Sequence, residues 1–152
     1  MKIETLHDIL DWTRKLHQQL SNRLLASAAV STNERSKMLL EYLADHEQKL
    51  GQLLDAFENE SDAKALNSWC YEFFQNNEVL AKQQSKLSFD TMTSDQIVEE
   101  VAALHNQVID VYRQLADQFE VPAATDVIQQ LLALEQHEAM RLVQGSNRLQ
   151  DI

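Results

Sequence analysis

The sequence predicts an all-α protein in which four long helices form two antiparallel hairpins joined by a long crossover. Only two of the 152 residues are glycine and one is proline, so the tight turns that β-hairpins require are scarce. In four segments, inward-facing positions recur at alternating spacings of four and three, as in helices packed against one another. We expect one domain over residues 1–152, with a hairpin over 5–58, a crossover over 59–92 and a hairpin over 93–147.

The first hairpin consists of a helix from Thr5 to about Ala28 and a second helix after a short connection, which makes the two antiparallel. Its first inward stripe contains Leu6, Leu10, Thr13, His17, Leu20 and Leu24. The second helix is expected to start at a capping box formed by Ser31 and Glu34. Its stripe contains Leu39, Leu43, His46, Leu50, Leu53 and Phe57, with Glu47 on the flank. Gly51 lies inside this helix, where glycine costs about 1 kcal/mol relative to alanine, which suggests a close backbone approach.

The crossover is predicted to contain an extra short helix with an aromatic face around Trp69 and Phe73. A face of this kind needs cover, either from the bundle itself or from a second protein surface. Packing against the bundle is the favoured cover, and a dimer interface is the second. We predict a homodimer, and we regard the same face as a candidate site for a protein partner.

The second hairpin is predicted to begin at Thr93, which forms a capping box with Gln96. The stripe of its first helix contains Val98, Val101, His105, Val108, Tyr112 and Leu115. Pro122 suits the first turn of the last helix, and Gly145 is its predicted end. The stripe of the last helix contains Val127, Leu131, Leu134, Glu138 and Arg141, with His137 beside Glu138.

Charge and cysteine content exclude several classes of function. The formal net charge of −11 disfavours binding to nucleic acid or to an anionic membrane. Cys70 is the only cysteine, so an internal disulfide and a cysteine-based zinc site are excluded. The N-terminus does not look like a signal peptide and no apolar run is long enough to cross a bilayer, so we expect a cytoplasmic protein. No nucleophile motif or phosphate loop is present, and no catalytic residue is predicted.

A weak internal repeat places histidines and glutamates on the inward faces of both hairpins. His17 precedes the pair His46 and Glu47 by 29 residues, and His105 precedes its counterpart pair by 32 residues. Inward polar groups need partners, because an unmatched buried polar group costs about 1 to 3 kcal/mol. The candidate site therefore comprises His17, His46, Glu47, His105, His137 and Glu138.

The two hairpins, the long crossover and this doubled motif resemble the ferritin-like superfamily, in particular its rubrerythrin-like branch. Local runs such as LLEYLADHEQKLGQLL and ALHNQVIDVYRQLA carry the same likeness. The resemblance implies a ferritin-like four-helix bundle. In that family a di-iron or di-manganese centre is held by a Glu from each first helix and a Glu-x-x-His motif from each second helix.

Carried over to this chain, the resemblance matches Glu47 and Glu138 with the glutamates of the two Glu-x-x-His motifs. Leu50 and Arg141 stand where those motifs have histidine, and His17 and His105 replace the lone glutamates. Two adjacent divalent ions need several carboxylates to neutralise and bridge them. We therefore expect a divergent ferritin-like protein without the standard di-iron ligands, acting as a non-catalytic bundle of the interaction or stress type.

Two alternatives remain open at the level of sequence. The histidines and glutamates could hold a single transition-metal ion, such as zinc, iron, copper, nickel or manganese, for metal binding or redox chemistry. They could instead form a satisfied core network without a cofactor, which is the usual meaning of single histidines on apolar helix faces. A pH sensor built on buried His-Glu pairs is a further hypothesis, and it places a change of stability between about pH 5 and 7.

Overall fold

The structure is a computed structural model that describes residues 4–68, 89–119 and 121–150. These ranges form five helices: α1 (Leu6–Val30), α2 (Glu34–Glu60), α3 (Ala63–Leu66), α4 (Ser94–Ala116) and α5 (Pro122–Gln150). The all-α bundle of two helical hairpins is therefore confirmed. Within the described residues, no helix combines the length and the apolar character that crossing a membrane requires.

Side-chain caps define where the long helices begin. Thr5 caps α1 in a reciprocal box with Asp8, and Thr93 and Gln96 form the predicted box at the start of α4. Helix α5 begins at Pro122, as predicted.

The cap predicted at Ser31 for α2 is wrong. Asn33 caps this helix, because its side-chain oxygen accepts hydrogen bonds from the backbone N–H groups of Arg35 and Ser36. An asparagine directly before the helix reaches these two free donors, whereas Ser31 lies too far upstream.

Pairs of side chains between α1 and α2 establish their antiparallel arrangement. Arg14 contacts Asp55, His17 contacts Glu47, and the Ser21 hydroxyl donates to the Ala44 carbonyl at 2.8 Å. In these three contacts the residue numbers on α2 fall as those on α1 rise, so the two helices run antiparallel. The first hairpin therefore brings the middle of α1 against the middle of α2.

The stripes predicted for α1 and α4 are confirmed, since all six positions on α1 are buried and five of six on α4 are buried. The stripes of α2 and α5 are rotated relative to the prediction. On α2, Leu53 is 43% exposed, while Leu54 and Glu47 are fully buried. On α5, Arg141 is exposed, while Glu135 and Leu142 are fully buried. The rotation exchanges which polar residues face the centre of the bundle.

Two apolar clusters fill the bundle above and below a layer of polar side chains. One cluster includes Leu16, Leu50, Val108 and Leu131. The other includes Leu20, Leu43, Leu104 and Leu142. On each long helix the polar layer falls between members of these two clusters, so its charged groups are sealed from both ends.

The two glycines of the chain play roles different from those predicted. A Cβ at Gly51 would meet nothing within 4 Å, so the expected close backbone approach is absent there. Gly145 lies inside α5 and does not end it. A Cβ at Gly145 would lie 1.8 Å from the hydroxyl oxygen of Tyr42, so this glycine makes room for a tyrosine from α2.

The crossover is described only in part. Helix α3 lies in it and packs Ala65 into the first apolar cluster. Trp69 and Phe73 lie outside the described residues, so the aromatic face, the homodimer and the protein partner stay predictions.

Candidate metal centre

Four buried side chains, one from each long helix, meet in the polar layer at the middle of the bundle. They are His17 on α1, Glu47 on α2, His105 on α4 and Glu135 on α5. Each is at most 1% exposed. The sequence placed three of these four residues in the candidate site.

Each histidine of this four-residue cluster lies between both carboxylates. His17 donates from Nδ1 to Glu47 Oε2 at 2.5 Å and from Nε2 to Glu135 Oε1 at 2.9 Å. His105 donates from Nε2 to Glu47 Oε1, and its Nδ1 lies 3.5 Å from Glu135 Oε2. The two imidazole rings are 5.1 Å apart. The four side chains therefore form a closed ring of contacts in which each histidine has a glutamate on either side.

The charges of the cluster stabilise one another. Burial by itself would lower the pKa of His17, but the charges of Glu135 and Glu47 raise it to about 10. The pKa of His105 is likewise raised to about 9, against the effect of burial, chiefly by Glu47. Burial by itself would raise the pKa of each carboxyl group. The two histidines nevertheless hold the pKa of Glu47 far below its usual 4.5, and they lower the pKa of Glu135 to about 2. In the absence of a metal, these shifts favour a cluster of two imidazolium ions and two carboxylates.

One of the four contacts in this ring of side chains, the one between His105 and Glu135, is not a hydrogen bond. His105 Nδ1 and Glu135 Oε2 face each other at 3.5 Å, and neither atom has a hydrogen-bond partner among the described residues. A buried donor and acceptor left in this state cost free energy, typically about 1 to 3 kcal/mol for each unsatisfied group. This contact is the part of the cluster whose bonding capacity is unused.

His46 and Glu138, which the sequence also placed in the site, form a second pair beside the cluster. His46 Nε2 lies 3.6 Å from Glu138 Oε2, and the side chains are 10% and 7% exposed. Burial lowers the pKa of His46, and the neighbouring carboxylates do not offset this effect. Arg141 lies 3.4 Å from the other oxygen of Glu138. Arg141 therefore forms an i,i+3 ion pair with Glu138.

His137, which the sequence also placed in the candidate site, does not join the buried cluster. Its side chain is exposed on the outer face of α5, two residues from the buried Glu135. Two residues correspond to about 200° around a helix, so these side chains point in nearly opposite directions. Glu135 takes the inward place that the sequence interpretation gave to the pair of His137 and Glu138.

The sequence prediction did not include Glu135 because it placed Leu134, one residue away, on the inward stripe of α5. A regular spacing in the sequence is the signal that points to Glu135. Glu47 follows His17 by 30 residues, and Glu135 follows His105 by the same 30 residues. The spacings of 29 and 32 residues used in the prediction were a distorted form of this regular repeat.

The cluster has the composition of a metal-binding group. His17, His105 and Glu135 each offer one ligand atom, and these atoms all lie within 4.8 Å of one another. The fourth member, Glu47, contacts both histidines from the other side.

Comparison with known proteins informs the fold of the chain. No family model matches the sequence, and no curated protein matches it. A solved structure from Thermotoga maritima, provisionally described as a ferritin-like diiron-carboxylate protein, is similar to this one with a TM-score of 0.56. The similarity covers 97% of each chain at 14% sequence identity. A likeness at this level of identity concerns the architecture, and the chain has the ferritin-like fold.

Proposed function

We propose that the protein is a ferritin-like metalloprotein that binds one divalent transition-metal ion between His17, His105 and Glu135. The observation that carries the proposal is the convergence of three ligand atoms within 4.8 Å in a fully buried position. Two imidazole nitrogens and one carboxylate oxygen form a ligand set that suits ferrous iron or zinc.

The ring nitrogens divide into two groups with different roles. His17 Nε2 and His105 Nδ1 face Glu135, and these atoms are the proposed ligands. The other two ring nitrogens face Glu47, whose carboxylate accepts a hydrogen bond from each. Metal-binding histidines commonly donate their second N–H to a carboxylate, which fixes the tautomer and the orientation of the ring. Glu47 is therefore a positioning residue that holds both histidines.

The contact between His105 and Glu135, which is not a hydrogen bond, supports a metal ion at this place in the cluster. Within the four-residue cluster, His105 Nδ1 and Glu135 Oε2 are the atoms that have no hydrogen-bond partner among the described residues, and both belong to the proposed ligand residues. An ion there would use bonding capacity that the protein alone leaves unused. When bound, iron would supply redox chemistry and zinc would supply Lewis-acid chemistry.

A dinuclear carboxylate centre does not fit the same cluster. Two divalent ions require several carboxylates for charge neutralisation and bridging, and two of the four members are imidazoles. The diiron description of the Thermotoga maritima protein is therefore not extended to this chain.

A metal-free structural network is the second candidate, and it corresponds to the non-catalytic bundle expected from the sequence. The balance of two imidazolium ions and two carboxylates favours it. Such a network would fix the register of the four helices without a cofactor.

Elemental analysis of the untagged protein, purified without chelator, separates the two candidates. The metalloprotein predicts near-stoichiometric metal in the wild type and loss of the metal in Glu135→Gln, which keeps the shape of the side chain. The matched control is His137→Ala, two residues away but exposed, which should retain the metal. Absence of metal in the wild type, even after reconstitution with ferrous iron, zinc and manganese, would overturn the metal site and leave the structural network.

A further inference from the structure

The pair formed by His46 on α2 and Glu138 on α5 is not explained by the buried cluster. His46 Nε2 is buried and has no hydrogen-bond partner among the described residues. It faces Glu138 Oε2 across 3.6 Å, a gap too wide for a hydrogen bond. A tetrahedral ion with bonds of about 2.0 to 2.1 Å separates its ligand atoms by roughly 3.3 Å. The pair is therefore within a few tenths of an ångström of the spacing of two metal ligands.

The pair adjoins the cluster on its inner side. The imidazole ring of His46 lies 6.4 Å from that of His105, in an edge-to-face arrangement. Glu138 follows Glu135 by one turn on the same face of α5, and both are buried. An ion at the pair would thus be next to two of the three proposed ligands.

The pair reaches the surface on its outer side. Arg141 is 63% exposed, and its Nη1 lies 3.4 Å from Glu138 Oε1, the oxygen that does not face His46. An exposed ion pair of this length contributes little stability and can be displaced. Tyr42 forms the adjoining wall, since its ring lies 6.5 Å from that of His46 and its hydroxyl packs on Gly145.

We propose that His46 and Glu138 form an outer cation-binding position, through which a hydrated divalent ion passes between the surface and the buried cluster, and which Arg141 covers when no ion is present. Two protein ligands bind an ion weakly and leave its remaining positions to water, as passage requires. This inference rests on the proposed function, because it assigns the route to the metal site of His17, His105 and Glu135.

The first test follows the rate of Co²⁺ uptake by the metal-free protein, using the visible absorption of the bound ion in stopped flow. His46→Leu and Glu138→Gln are expected to slow uptake about tenfold or more, since they remove a ligand or the charge that attracts the cation. A residue on the route changes entry and exit together, so His46→Leu, which removes no negative charge, should leave the Kd of the inner site unchanged. Arg141→Ala should accelerate uptake.

His137→Leu is the matched control, because His137 is the neighbour of Glu138 in sequence but is exposed on the outer face. It should take up Co²⁺ at the rate of the wild type. Unchanged uptake rates in both His46→Leu and Glu138→Gln, with folding verified by circular dichroism, would overturn the inference.

A second measurement separates failure of this inference from failure of the proposed function. In Glu135→Gln, which lacks a ligand of the inner site, Co²⁺ at the outer position should broaden the NMR signals of the His46 ring. In the wild type an ion at the inner site would broaden them as well, because the rings of His46 and His105 are 6.4 Å apart. Broadening of His46 without tight binding would retain the outer position and refute the inner site. Tight binding at the inner site of the wild type, together with no broadening of His46 in Glu135→Gln at any Co²⁺ concentration, would refute the outer position alone.

Discussion

His17 on α1 and Glu47 on α2 form a fully buried ion pair, with Nδ1 2.5 Å from Oε2. Removing one charge from such a pair leaves the other uncompensated, which typically costs about 3 to 5 kcal/mol. We expect Glu47→Gln to lower the free energy of unfolding of the metal-free protein by about that amount. Chemical denaturation measures the change.

The control for this prediction lies on the same helix. Asp45 forms an exposed pair with Lys49 at 2.8 Å, and exposed pairs contribute at most about 1 kcal/mol. Asp45→Asn should therefore be nearly neutral. Equal effects of Glu47→Gln and Asp45→Asn would argue against a buried charge network.

The stability of the metal-free protein should fall as the pH rises above neutrality. The pKa values of His17 and His105 are raised from 6.5 to about 10 and about 9. A raised pKa contributes stability that is complete below 6.5 and is lost as the pH passes through the folded-state value. Unfolding free energies should therefore decline between about pH 6.5 and 10. The expected loss of stability therefore lies above about pH 6.5, whereas the pH-sensor hypothesis from the sequence placed it between about pH 5 and 7.

The carboxylates set the opposite limit at low pH. The pKa of Glu135 is lowered from 4.5 to about 2, so its contribution is present above pH 4.5 and is lost as the pH falls towards 2. Denaturation curves from pH 3 to 10 test both limits, with His17→Ala/His105→Ala as the control without the charged histidines. A wild-type profile that is flat above pH 6.5 would contradict the raised pKa values.

Metal binding should show the reverse dependence on pH. An ion at His17 Nε2 and His105 Nδ1 must displace a proton from each ring, because both rings are charged in the metal-free protein. Affinity should therefore rise with pH up to the pKa values of the two histidines. Calorimetric titration with Zn²⁺ in buffers of different ionisation enthalpy measures the protons released, and binding without proton release would argue against these two nitrogens as ligands.

Substitution by alanine should have opposite effects on stability at the two glycines. Gly51→Ala should stabilise the protein by up to about 1 kcal/mol, because alanine is the better helix former and its Cβ would meet nothing within 4 Å. Gly145→Ala should destabilise it, because its Cβ would lie 1.8 Å from the hydroxyl oxygen of Tyr42. Adding Tyr42→Ala should reduce the loss caused by Gly145→Ala. Thermal unfolding of Gly51→Ala, Gly145→Ala, Tyr42→Ala and the double variant Gly145→Ala/Tyr42→Ala measures these effects. A gain in stability for Gly145→Ala would contradict the packing of Tyr42.

The sequence alone determined the architecture and most of the buried cluster. The scarcity of glycine and proline and the alternating spacing of apolar residues predicted the helices, and His17 and His105 fell on stripes that are buried as expected. These features depend on local geometry, because the period of a helix decides which residues share a face.

The tertiary structure decided which face of α2 and α5 turns inward. One residue corresponds to about 100° around a helix, so a stripe through His46 and one through Glu47 face directions about 100° apart, as do stripes through Leu134 and Glu135. The neighbouring helices resolve this ambiguity, since the charged histidines on α1 and α4 attract the carboxylates of Glu47 and Glu135 into the centre. The pairing joins residues up to 118 positions apart, and no local pattern in the chain specifies it.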